Sequence, residues 1–216
     1  MDPQSAGDPR STYDRIAAHF SKTREYAWPE VESFLDRRAA ARALDLGCGN
    51  GRHAELLAER ADAVVGVDLS RELLGEAVDR ARDHGFDASA SFVHGDAAAL
   101  PIATDAVGLA VYVATIHHLP SREARVRSLD ELARVLVPGG IALVSAWSTA
   151  HDRFDRAEGF DTTIDWTLPG GETVPRYYHI YSPEEFEADI GESALETVDV
   201  DVSSGNCYAT VTVSDT

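Results

Sequence analysis

Residues 44–53 read LDLGCGNGRH, and the spacing of their glycines decides the fold. Leu44, Asp45 and Leu46 end an apolar run of strand character, and Gly47, Gly49 and Gly51 then turn the chain into the helix-patterned GRHAELLAERA. Glycine supplies positive φ and lets a backbone approach a ligand closely. In an open α/β sheet such a loop faces the carboxyl ends of parallel strands, where ligands bind. The spacing is G-x-G-x-G with Arg52 next, not the G-x-G-x-x-G of a dinucleotide site, and no Gly-Lys-Ser/Thr follows to make a P-loop. Asp45, two residues before the first glycine, would repel a phosphate. It suits a cationic ligand such as the amino group of a methionine moiety.

Outward from the loop, strand and helix patterns alternate between residues 40 and 147. AVVGVDLS, ASFVHGDA, VGLAVYV and IALVSAWS read as further strands, separated by the helical RELLGEAVDRARDHG and SREARVRSLDELARVLVPGG. That alternation predicts right-handed βαβ units and a doubly wound, mostly parallel α/β sheet with helices on both faces. YDRIAAHFSKTREYAWPEVESFLDRR should form helices ahead of the sheet. After Ser148 the chain turns polar and Gly/Pro-punctuated, an excursion over the active face. RYYHIYS then reads as a strand and PEEFEADIGES as a helix with Pro183 in its first turn. The clean alternation of LETVDVDVSSGNCYATVTV predicts a terminal antiparallel hairpin. We expect a disordered tail over 1–12 and one domain over 13–216, divided into a ligand-binding half (40–147) and acceptor-binding elements with the hairpin (148–216).

Two more carboxylates fall at strand ends. Asp68 follows the second strand, where a carboxylate can accept both hydroxyls of a ribose. Asp96 follows the third and can take an exocyclic adenine amine, with the Ala97 backbone N–H beside it.

Composition excludes several classes. Acidic residues number 37 against 19 basic ones, for a net charge of −18. Lys22 is the only lysine. Such a balance resembles proteins of halophiles, and at molar salt the Debye length falls to about 3 Å, so acidity alone does not bar a nucleic-acid substrate. No apolar run is long enough to span a membrane, and the first ten residues lack a leader pattern. With Cys48 and Cys207 the only cysteines, a reducing, cytoplasmic location is expected. The histidines and cysteines show no metal-ligand spacing.

DLGCGNG, GVDLS, GDAAALP and LVPGG, in that order and at these intervals, resemble the signatures of the class I S-adenosylmethionine-dependent methyltransferases. The resemblance implies a seven-stranded sheet whose last strand is antiparallel, matching the hairpin. It also implies S-adenosylmethionine as cofactor, bound by Tyr13 (as a lid), Asp45, Gly47, Cys48, Gly49, Gly51, Asp68, Leu69, Asp96, Ala97 and Val113. YDRIAAHFSKTREYAWPEVESFL, the late SAW, RYYHIYSPEEF and GNCYATV are in turn similar to the family that methylates carboxymethylated wobble uridines in tRNA, of halophilic archaeal type. Cys207 stands where members often carry a bulkier aromatic. That likeness implies a tRNA substrate and a small zinc-binding activator subunit as partner.

The residues suit such an acceptor. A carboxylate is ionised at neutral pH and needs no general base. It needs in-line placement and a dry site. Arg24, His117, Trp147, Arg176, Tyr177, Tyr178, His179 and Asn206 are of the right types to hold a carboxylate and stack a base. Strand alternation puts Arg176 and Tyr178 on one face and Tyr177 and His179 on the other, so the cluster serves one ligand only if the strand twists or ends. His117 is expected to face the site and His118 to be structural. The open alternatives are a methyltransferase of a small carboxylic acid or quinone-like metabolite and a non-catalytic scaffold; the intact glycine loop speaks against the latter.

Overall fold

In the computed structural model, which describes residues 8–214, helices α1 (Pro9–Lys22) and α2 (Pro29–Leu35) precede the sheet. The alternating half follows as β1 (Ala40–Leu46), α3 (Arg52–Ala58), β2 (Ala61–Asp68), α4 (Arg71–His84), β3 (Ala90–His94), β4 (Val107–Val113), a single 3-10 turn (Ile116–His118), α5 (Arg122–Val135) and β5 (Leu136–Trp147). The remainder comprises β6 (Phe160–Thr167), β7 (Thr173–Ile180), α6 (Pro183–Glu192), β8 (Glu196–Ser203) and β9 (Asn206–Thr212). Seven strands form one sheet in the order β3-β2-β1-β4-β5-β9-β8. β1 to β5 pair in parallel, and β9 is antiparallel to both of its neighbours.

The local reasons are visible residue by residue. Ser70 caps α4 by accepting from the Leu73 N–H at 3.1 Å, and Gly85, at φ 77°, closes it in the left-handed region. Ser121 caps α5 and Ser182 caps α6 in the same way, each with its side chain accepting from the third residue on. The central strands are buried on both faces, as parallel strands covered by helices must be. Leu44, Tyr112 and Val144 pack one face against α5 and α6, while Ala43, Leu109 and Val111 pack the other against α2 and α3.

Two expectations need correction. Helix α1 begins at Pro9, inside the stretch expected to be disordered. Asp8 accepts the Arg10 N–H, proline occupies the first turn, and Thr12 is buried. Residues 1–7 lie outside the described residues. The polar excursion after Ser148 also contains a strand: β6 pairs antiparallel with β7 as a separate two-stranded sheet over the sheet's carboxyl edge. No helix among the described residues is long and apolar enough to cross a membrane.

Buried charge joins α5 to α6. Arg125 of α5, 4% exposed, lies 3.6 Å from Glu185 and 3.8 Å from Asp189 of α6. Asp189 also accepts from Arg122 Nε at 2.7 Å and from the Tyr181 hydroxyl at 3.1 Å. Removing one member of a buried ion pair leaves the other uncompensated. Arg125→Ala should therefore lower the unfolding free energy by about 3 kcal/mol in a denaturant titration. A loss within measurement error would mean that Arg122 alone satisfies Asp189.

Candidate active site

Between β1 and β4 the strand order reverses, and outside the carboxyl ends of these strands lies a cleft of about 630 Å³. The glycine loop forms its floor. The Gly47 and Cys48 N–H groups both donate to the Val67 carbonyl, at 2.7 and 3.0 Å, which fastens the loop to the end of β2. Gly47 has φ 71°, and a Cβ there would meet Thr115 Oγ1 at 2.1 Å, so no larger residue fits. The Asp68 carboxylate then locks the arrangement: one oxygen accepts the Gly49 N–H and the other the Ser70 N–H, both at 2.8 Å. Burial raises its pKa, while the Ser70 and Gly49 amides oppose the shift. Each carboxylate oxygen keeps further acceptor capacity toward the cleft.

Cys48, Leu69, Ala97 and Val113 line the cleft with Asp68 and Asp96. Asp96 is held by its own turn, one oxygen accepting the Ala98 N–H at 2.9 Å. An acidic acceptor at the end of β2, a second at the end of β3 with an adjacent N–H, and apolar walls of Leu46, Val67 and Leu69 fit an adenosyl ligand. Asp45 differs from expectation. It is 1% exposed and lies beneath the loop, off the cleft wall. It accepts from the backbone of Ala54, serving the first turn of α3, where Gly51 offers no side-chain cap. Burial raises its pKa to about 7. The contact it makes supports the loop, and its Oδ2 is buried without a hydrogen-bond partner.

The other end of the cleft is lined by Arg24, His117, Trp147, Arg176, Tyr178 and Asn206, all expected there, by Tyr13, which was expected as a lid over the cofactor, and by His118, which was expected to be structural. Arg176 stands out chemically. It is 7% exposed, its buried Nε has no hydrogen-bond partner, and no carboxylate among the described residues lies within ion-pair distance. Aromatic faces hold it instead, with the guanidinium 4.9 Å from the Trp166 ring and 5.1 Å from Tyr178. Arg24 is set likewise over Phe20 and Trp166. A buried, permanently charged group lacking an acid is stabilised by an incoming anion.

His117 of the 3-10 turn is buried and His118 half-buried, and both are neutral. His117 Nδ1 accepts the Trp147 N–H at 2.9 Å, which puts its proton on Nε2. Burial, the neighbouring His118 and Arg176 hold its pKa well below 6.5. His118 Nδ1–H donates to the Tyr177 carbonyl at 3.0 Å, so its Nε2 accepts the Tyr13 hydroxyl at 2.8 Å. Burial lowers the His118 pKa to about 3. Tyr13 is thus tied to the acceptor end by a hydrogen bond, and burial raises its own pKa well above 10.

His179 lies outside the cleft. It occupies the opposite face of β7 from Arg176 and Tyr178, with Nδ1 2.7 Å from Asp161 and Nε2 2.9 Å from Glu185. Tyr177 shares that face and donates to Asp161 at 2.7 Å. Both residues fasten the hairpin. Strand alternation separates the two pairs, and β7 neither twists nor ends early enough to reunite them. Sequence reading missed His118, Thr115 and Trp166. The His-His doublet was the available signal, because a tight turn at the topological switch brings both rings to one cavity.

Residues 43–140 match the family described as a methyltransferase domain. The tRNA (carboxymethyluridine(34)-5-O)-methyltransferase ALKBH8 of Mus musculus is 36% identical over 141 residues, covering 65% of this chain and 20% of that protein. The chain thus spans about a fifth of that relative's length. A provisionally named methyltransferase of Encephalitozoon cuniculi is 32% identical over 205 residues, covering 91% of each chain. Among solved structures, the methyltransferase bound to the Trm112 methyltransferase activator of Haloferax volcanii superposes with a TM-score of 0.70 at 16% identity. That superposition covers 96% of this chain and 98% of the other.

The neutral histidines make stability depend on pH. Below about 6.5 an unfolded histidine takes up a proton, while His118 in the fold resists doing so until about pH 3. The unfolded state then binds more protons, so stability falls as pH drops through that window. Buried Asp45, its pKa raised to about 7, contributes with the opposite sign over the same range. The histidine contribution is therefore read as a difference in thermal melts: from pH 7 to 5, the Tm of His118→Asn should rise relative to that of the wild type. A difference between the two proteins that stays constant over that range would contradict the neutral state of His118.

Proposed function

This chain belongs to the methyltransferase family, and from that premise we propose that it transfers a methyl group from S-adenosylmethionine to the carboxylate of a carboxymethylated wobble uridine in tRNA, forming the methyl ester. One observation carries the choice of acceptor: Arg176 is buried beside the cleft with a free Nε and, among the described residues, no acid partner. A carboxylate supplies the missing anion. The names of the most similar relatives support the same acceptor.

When bound, the cofactor supplies an electrophilic methyl on a sulfonium, and its transfer to a carboxylate oxygen leaves the C–S electron pair on sulfur and releases no proton. Asp68 and Asp96 hold the adenosyl end, and the glycine loop lets the backbone close on it. Arg176 grips and orients the acceptor through charge-assisted hydrogen bonds. His117, with its proton on Nε2, offers a neutral donor beside it. Trp147 and Tyr178, which line the cleft, provide flat faces for the base and exclude water from the nucleophile.

An activator subunit of the Trm112 kind belongs to the same reading. The Haloferax volcanii structure, in which that activator accompanies a chain of the same fold, supports it. β3 and β8 are the sheet's two open edges, and β8 adds exposed Val198 and Val202. A reducing compartment accords with the buried free thiols of Cys48 and Cys207.

Arg176→Ala should reduce kcat/KM toward carboxymethylated tRNA by about a thousandfold or more, which is the loss of a buried, bidentate charge contact. Cofactor affinity in calorimetry should be retained. Arg176→Lys should recover little, since a point charge does not reproduce the planar fork. Retained turnover in Arg176→Ala, or lost cofactor binding, would refute the assignment. In a strain lacking the gene, mass spectrometry of tRNA nucleosides should show the free carboxymethyl or carbamoylmethyl form in place of the ester.

A further inference from the structure

The segment after Trp147, polar in sequence, builds a run of rings leading out of the cleft. Trp147 meets Phe154 edge-on with centroids 4.9 Å apart and His151 at 5.4 Å, and Phe154 meets Phe160 at 5.5 Å. The ladder is continuous with the acceptor site, because Trp147 also packs on Tyr178 at 5.4 Å. Two exposed arginines lie over it: Arg153 at 5.9 Å from the Trp147 ring and Arg156 at 4.4 Å from Phe160. The segment is held from behind. The Ser148 N–H donates to the Gly205 carbonyl at 3.0 Å, and Gly205 lies so close to His151 that a Cβ there would be 2.6 Å from it.

Ring packing alone would explain the aromatics but not the arginines. This chain carries 37 acidic residues, and Asp152, Asp155 and Glu158 flank the two arginines in sequence. Yet neither Arg153 nor Arg156 has a carboxylate within ion-pair distance among the described residues, in contrast to Arg15, Arg80 and Arg122. Exposed guanidinium groups set over aromatic rings match a polynucleotide strand. A base stacks on the ring or plane, and the N–H edge takes the phosphate. Sequence-tolerant strand binding is built from these two elements.

We propose that residues 147–160 form a second station, which holds the nucleotide adjoining the modified one. Phe154 and the Trp147 edge contact its base, and Arg153 and Arg156 contact its phosphates. The proposal rests on the RNA reading of the cleft given above. It assigns to this segment the positioning of the strand, leaving Arg176 to hold the acceptor carboxylate.

The test is fluorescence anisotropy of an anticodon stem-loop RNA, with and without the carboxymethyl group, titrated with the full chain in the presence of S-adenosylhomocysteine. R153A/R156A replaces two exposed side chains and should keep the wild-type melting curve. It should weaken binding of both RNAs by about tenfold or more, the scale of one lost stacking and phosphate station. The slope of log K against log salt should fall by about 1.4, at about 0.7 per phosphate contact to a single strand. F154A should weaken binding with the salt slope unchanged, separating the ring from the charges. Unaltered affinity and slope in R153A/R156A would overturn the station, even if the carboxymethyl group still tightened wild-type binding. If the carboxymethyl group made no difference to the wild type while R153A/R156A still weakened both RNAs, the station would stand and the wobble-carboxylate reading would fall. A wild-type chain that bound neither RNA would overturn both.

Discussion

The clasp made by Asp68 sets the position of nearly everything functional. By accepting the Gly49 and Ser70 amides it joins the turn after β1 to the turn after β2, and it does so half-buried in the cleft wall. Hydrogen bonds to an ionised acceptor are worth more than neutral ones and are costly to leave unmade. The consequences run on through Ser70, whose hydroxyl donates to Asp14 at 2.7 Å, and so to α1. One residue earlier on α1 is Tyr13, whose hydroxyl reaches His118, whose other nitrogen holds the β7 backbone at Tyr177. Next along that strand from Tyr177 is Arg176. A short series of polar contacts thus links the adenosyl end of the cleft to its acceptor end, and the two substrates are placed by one framework.

What the sequence disclosed follows from the same physics. Positive-φ glycines, strand-end carboxylates and capping serines act over a few residues, so the loop, the sheet and the Asp68 and Asp96 positions were readable. Asp45 was not, because β1 is buried on both faces and its pattern carries no alternation to show which way a side chain points. In β7 the alternation was legible, and His179 departs from the cleft as that periodicity requires. β6 had a readable signal too: Phe160, Ile164 and Trp166 share one face, but the intervening polar residues obscured it. Arg153 and Arg156 carry no pattern at all, since their setting depends on rings brought near by a loop.

Charge explains why the cleft differs from the surface around it. With a net charge of −18 the chain as a whole repels nucleic acid at low salt. Screening at molar salt removes that repulsion beyond about 3 Å, together with any long-range attraction. Contacts that survive are short, desolvated and geometrically fitted. Arginines lying on aromatic rings meet those conditions, because their attraction to the ring and to a phosphate acts at contact distance.

The neutrality of the residues around Arg176 completes the argument. A protonated histidine beside the guanidinium would add a second cation without a partner, and a deprotonated tyrosine would occupy the guanidinium itself. Burial prevents both, lowering the pKa of His117 and His118 and raising that of Tyr13. The only full charge lining this end of the cavity from β7 is therefore the one that an anionic acceptor would meet. On the proposed reading the acceptor carboxylate is already ionised, and the site has no proton to remove. Its remaining task is placement at contact distance in a dry cavity, which a buried arginine between two rings is built to perform.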